Sequence, residues 1–123
     1  MQRSLPHALL YIGLTIALTV AGQLLVKRGV MEIGGDGGAL AFFGRAATNL
    51  CILLGLASAV LAAGCWMGAL AHADLSFAYP FMGLAIVLVL ALSPLAFGEP
   101  VPTARWIGVL VVCAGLVIAS RGD

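Results

Sequence analysis

Five polar side chains, Tyr11, Thr15, Thr19, Gln23 and Lys27, recur every fourth residue inside an otherwise apolar run. A polar group in such a run is costly unless it is paired or used, so it marks a functional hypothesis by default. On a helix each four-residue step turns about 400°, so the row drifts by about 40° per step and only Thr15, Thr19 and Gln23 stay within an arc of about 80°. That arc is expected to face protein or a wet cavity. The alternative is that the threonine hydroxyls bond back to their own helix and Gln23 joins two helices. Gln23 and Lys27 sit one turn apart, with Arg28 next to them, and a cation beside an amide donor suits an anionic oxygen such as a phosphate. In a later run Tyr79-Pro80 removes an amide donor and disturbs the preceding turn. A carbonyl near Ser76 is then open to a ligand, to a neighbouring helix, or to Ser76 or Tyr79 as a plain kink. The same run ends in Ala96-Phe97-Gly98-Glu99-Pro100, where Glu99 is a solvated turn residue, an acceptor for the head of the next helix, or a contact for a cationic group.

Other chemistry finds no constellation. Cys51, Cys65 and Cys113 form no C-x-x-C pair, and a cysteine in an apolar run acts as a small apolar residue. His7 and His72 lie at run ends without ligand partners at useful spacing, so neither a metal nor another cofactor is expected. Gly34-Gly35-Asp36-Gly37-Gly38 lacks the order of a phosphate-binding loop and the strand before it, and is expected to be a flexible connector. With too few polar groups for a catalytic set, an enzyme is not expected.

The elements that position these residues follow from the charge gaps. Of 123 residues 63% are apolar and 9% charged, the mean hydropathy is +1.15, and the net charge is +1. A water-soluble domain needs about a quarter of its residues charged, and a nucleic-acid binder needs a basic excess; both are excluded. Residues 4–26, 46–73, 75–98 and 106–120 contain no Asp, Glu, Lys or Arg. About 20 apolar residues cross a hydrocarbon core about 30 Å thick, and in lipid only helices satisfy the backbone of such a run. Four transmembrane helices are expected, near 6–27, 46–71, 76–97 and 103–121, with Arg105 and Arg121 snorkelling to the interfaces. The first run is too long and too polar for a cleavable signal, and three more follow it. Short links make successive helices antiparallel, which predicts one membrane domain over residues 1–123, an up-down four-helix bundle. Lys27, Arg28, Arg45 and Arg105 on one face outnumber Arg3 and Arg121 on the other, a weak bias placing loops one and three in the cytoplasm. Packing is expected along the small-residue rows Gly13/Ala17/Ala21, Gly64/Gly68 and Gly108/Gly115. Four thin helices enclose little, so a solute route needs a second copy or a partner.

Ala21-Gly22-Gln23-Leu24 with Lys27, Ala78-Tyr79-Pro80, Phe97-Gly98-Glu99-Pro100, Trp106-Ile107-Gly108 and Gly115 resemble the drug/metabolite transporter superfamily in its four-helix form. Along nearly the whole chain the pattern is most similar to the undecaprenyl-phosphate-aminoarabinose flippase subunits, bacterial inner-membrane proteins that carry a lipid-linked aminosugar toward lipid A modification. The small multidrug resistance exporters are more distant. Aligning Gly22 and Lys27 with their first helix sets Thr19 where those exporters need a glutamate, and a hydroxyl cannot exchange a proton for a cation. Gly108 and Gly115 match the spacing those exporters use to dimerise. The resemblance implies a multi-pass inner-membrane flippase subunit, a homodimer or a heterodimer with a related subunit, acting on a polyprenyl-phosphate-linked sugar. Lys27, Gln23 and Arg28 would hold the phosphate, Thr19, Tyr79 and Pro80 would line the path, and Glu99 would meet a sugar amine. The alternatives are an exporter of small organic cations and a non-transporting membrane assembly partner.

Overall fold

The computed structural model describes residues 5–121. Arg3, which entered the orientation argument, lies outside them. The chain runs through α1 (Leu5–Ile33), α2 (Gly38–Ala46), α3 (Leu50–His72), α4 (Leu75–Ala78), a 3-10 turn (Tyr79–Met82), α5 (Gly83–Phe97) and α6 (Thr103–Arg121). Pro6–Ile33, Leu50–His72 and Leu75–Phe97 are long and apolar enough to cross a membrane, and Thr103–Ala119 is a shorter apolar helix. The protein is therefore an all-α membrane protein of four main helical segments. Their directions alternate. His7 near the start of α1 stacks on His72 at the end of α3, with ring centroids 5.5 Å apart, while Lys27 toward the end of α1 meets Glu99, just past the end of α5.

The flexible connector expected at residues 34–38 is a short turn between two helices, and most of the link between the first two spans is helical. The 29 residues of α1 span about 43 Å at 1.5 Å each, which carries the helix past the hydrocarbon to Ile33. The chain then turns at Gly34 and Gly37, both at positive φ, into α2. The turn is held by Arg45, whose Nη2 donates to the Asp36 carbonyl at 2.7 Å. No residue of α2 is buried; Leu40 is 91% and Phe43 66% exposed. A short apolar helix that joins two spans at the same end is expected at the membrane interface, with these two side chains toward the acyl boundary. Asn49 starts α3, its Oδ1 accepting from the Ile52 amide at 2.9 Å while its Nδ2 donates to Glu32 Oε1 at 3.1 Å.

The closest backbone approach is between α1 and α3, at two glycines outside the expected small-residue rows, of which Gly68 also packs against α1. A Cβ at Gly55 would stand 2.8 Å from the Gly22 carbonyl oxygen and 2.6 Å from Val26 Cγ2. Only the absence of both side chains lets the backbones approach so closely. Ser58 completes the crossing, its hydroxyl donating to the Leu18 carbonyl at 2.7 Å. Gly13 and Gly64 have nothing within 4 Å of an added Cβ, and Gly68 seats the Tyr11 ring. The other face of α1 meets α5, so Ile12, Ile16 and Val20 share a core with Ala69, Ala78 and Ala85. α6 leans on α5 and the 3-10 turn, and among its described side chains none is buried.

Candidate functional site

Pro80 cannot donate an amide, and the third span answers with the short α4, a 3-10 turn and a restart at Gly83. The break leaves Tyr79 exposed on the inner side of a furrow, edge-on to Trp66 of α3 with ring centroids 5.9 Å apart. On α1 the expected polar arc faces this furrow. Thr15 is buried and its Oγ1 donates to the Tyr11 carbonyl at 2.7 Å, so it bonds back to its own helix. Thr19 and Gln23 have no such bond among the described contacts, and both line the furrow on either side of α1.

The furrow has two lobes that share Thr19, Gln23, Tyr79 and Met82. Between α1 and α3 lies a lobe of about 500 Å³ walled by Gly55, Ala59, Ala62, Ala63 and Trp66. Between α1, α5 and the head of α6 lies a larger one of about 1030 Å³, whose polar wall includes Gln23, Ser93, Glu99 and Arg105. Ser93 donates to Val89 at 2.7 Å, one residue before Pro94. At the end of α5, Gly98 adopts φ +69° and its amide closes on the Pro94 carbonyl at 2.9 Å. A left-handed residue here suits glycine because it carries no Cβ. The turn swings Glu99 back toward α1, where its Oε2 stands 3.0 Å from Lys27 Nζ. Both side chains remain about half exposed, at 44% and 45%.

Thr19, Gln23, Tyr79 and Glu99 thus line the lobes, and Lys27 stands beside the larger one through its pair with Glu99. Arg28 stands apart, its Nε 3.9 Å from Glu32 Oε2 on the outer side of α1. Pro80 lines an adjoining apolar cavity of about 280 Å³ with Gly83, Cys113 and Leu116, of which Gly83 and Leu116 also line the larger lobe. Gly108 and Gly115 face outward from α6, with nothing within 4 Å of an added Cβ. Sequence reasoning missed Arg105, Ser93 and Trp66. Arg105 was read as an interfacial anchor alone, and only the fold places it on the wall of the larger lobe. At the opposite end His7, His72 and Tyr11 form a ring stack, with the Tyr11 and His72 centroids 5.7 Å apart. Among the described residues no group of three metal-ligating side chains occurs.

Chemically, the arrangement is an apolar trough open to lipid that ends in a small set of charges of both signs. It can hold a molecule that is mostly hydrocarbon with a charged head.

No family model matches the sequence, and no solved structure matches it. Among curated proteins the chain is 35% identical over 118 residues to "probable 4-amino-4-deoxy-L-arabinose-phosphoundecaprenol flippase subunit ArnF" of Sodalis glossinidius, covering 89% of this chain and 91% of that one. It is 33% identical over 121 residues to the ArnF protein so named in Aeromonas hydrophila, covering 96% and 82%. To the corresponding ArnE subunit of Pseudomonas savastanoi pv. phaseolicola it is 33% identical over 106 residues, covering 85% and 89%.

Proposed function

The chain belongs to the 4-amino-4-deoxy-L-arabinose-phosphoundecaprenol flippase subunits, and from that premise we propose how its furrow handles such a lipid. It is a transporter subunit of the bacterial inner membrane rather than an enzyme, and its cargo is a polyprenyl-phosphate-linked sugar. Being a subunit, it works with a partner chain, for which we propose a related subunit or a second copy docked on the outward face of α6 at Gly108 and Gly115.

The observation that carries the mechanism is the Lys27–Glu99 pair beside the large lobe. The headgroup of an aminosugar joined through a phosphodiester is itself a zwitterion, with one anionic phosphate and one ammonium. An exposed ion pair contributes only about 0–1 kcal/mol, so the protein pair opens at little cost. Glu99 then takes the sugar ammonium and Lys27 turns to the phosphate, assisted by the Gln23 amide. No net charge enters the membrane in this exchange, which keeps desolvation small. Tyr79 and Thr19 offer hydroxyls along the path between the lobes. The isoprenoid tail stays in hydrocarbon, its first units lying against the Ala59, Ala62, Ala63 and Trp66 wall.

The test is discrimination between the free amine and its N-acetylated analogue, which keeps the phosphate and loses the charge. The parent protein should bind the free-amine lipid more tightly in a native mass-spectrometric competition, and Glu99→Gln should remove that preference. An unchanged preference in Glu99→Gln would refute the role given to Glu99.

A further inference from the structure

We propose that Arg105 is a second phosphate-binding residue of the furrow, and that it makes the bare carrier lipid, without its sugar, a ligand of the same site. This rests on the reading of the furrow given above.

Three charges stand around the large lobe, and they do not balance. Lys27 and Glu99 neutralise one another at 3.0 Å. Arg105 lines the lobe with Gln23, Ser93 and Glu99, and among the described residues its side chain has neither an ion pair nor a hydrogen bond. Anchoring at the interface is the structural role its position allows, and the helix adds no other. Arg105 sits in the first turn of α6, where a cation meets the positive end of the helix dipole and gains nothing from it. Arg45, by contrast, is held by the carbonyls of the loop it closes. On the wall of the large lobe Arg105 is therefore a cation without a partner among the described residues, and it faces the cavity that takes the headgroup.

A guanidinium presents several N–H donors in a planar fork that matches two phosphate oxygens at once, which an ammonium cannot do. Lys27 must leave Glu99 before it can serve a phosphate, whereas Arg105 has no partner to leave. The phosphate is thus captured first on Arg105, and the amine then recruits Glu99 and frees Lys27. Capture by Arg105 does not involve the sugar. A polyprenyl phosphate lacking the sugar, more negative than the zwitterion, fulfils the same contact and balances the surplus positive charge at the rim.

The experiment uses the full chain in nanodiscs with three probes: undecaprenyl phosphate, undecaprenol, and the aminosugar-phosphate lipid. The parent should retain both phosphorylated lipids over undecaprenol. Arg105→Gln should weaken both by about the same factor, on the order of tenfold for the loss of one charge-assisted contact, and Arg105→Lys should recover part of it. Glu99→Gln should weaken the aminosugar lipid alone. Equal retention of undecaprenyl phosphate by parent and Arg105→Gln, with the aminosugar lipid still bound, would overturn the role of Arg105 and leave the furrow reading standing. Failure of the parent to prefer either phosphorylated lipid over undecaprenol would overturn both.

Discussion

Lys27 and Glu99 meet because of one left-handed glycine. Gly98 reverses the chain after α5, and a side chain in its place would strain that turn and move the carboxylate away from α1. Lys27→Ala should lower retention of polyprenyl-phosphate lipids several-fold while leaving thermal stability nearly unchanged, since a half-exposed pair adds little to folding. Native mass spectrometry and a melting curve on the same sample check both parts; undiminished lipid retention would remove Lys27 from the site. As an amide, an ammonium and a carboxylate at the edges of apolar runs these residues stood out in the sequence, each with a functional and a bland use open to it. Their pairing did not. It joins two helix ends far apart in the chain and depends on how sharply α5 is turned at Gly98. Arg105 was hidden for the same reason: any arginine at a span end reads as an anchor until the fold shows which cavity it lines. Thr15 went the other way, since its bond to the Tyr11 carbonyl is the ordinary fate of a threonine in a membrane helix.

At the level of elements, the charge gaps located the spans because the bilayer leaves so little freedom in length and polarity. Spacing of small residues was a poorer guide to contact. Gly22, with Leu18 and Val26 four residues to either side, and Gly55, at the head of a Gly55/Ala59/Ala63 row that was not singled out, make the close crossing, while Gly64 faces outward. A small residue permits close approach; only the neighbouring helix decides whether it occurs. The α2 helix escaped the sequence reading because three glycines and an aspartate directly precede it, a fourth glycine opens it, and its nine residues fall well short of a span. Its exposed Leu40 and Phe43 should lie in the acyl boundary. Phe43→Trp in vesicles of phosphatidylethanolamine and phosphatidylglycerol should be quenched by brominated acyl chains, whereas quenching by aqueous iodide alone would place α2 in water. The outward face of α6 should carry the partner. Gly108→Leu or Gly115→Leu should reduce crosslinking through Val111→Cys, an exposed position between them. Cys113 is the wrong handle, because its sulfur turns inward to the Gly83 carbonyl at 3.8 Å. Unchanged crosslinking in both leucine variants would move the interface elsewhere.

For the molecule as a whole, what matters is that the furrow is open and mostly apolar, and that among the described residues the charges on its wall, Glu99 and Arg105, lie at one end. A carrier lipid needs shelter only for its head, because its tail never leaves hydrocarbon. A proton-coupled cation exporter needs a carboxylate deep in the bilayer, and Thr19 and its neighbours in the furrow offer hydroxyls and an amide instead. The central claim is tested most directly in proteoliposomes containing this chain, alone and with a related second subunit, by the rate at which an aminosugar-phosphate lipid becomes exposed on the opposite leaflet. The account predicts faster exposure than in protein-free vesicles, a slower rate for Glu99→Gln, and no proton release when a quaternary ammonium compound is added. Lipid exposure no faster than in protein-free vesicles under both conditions, accompanied by proton release on adding the quaternary ammonium, would contradict it.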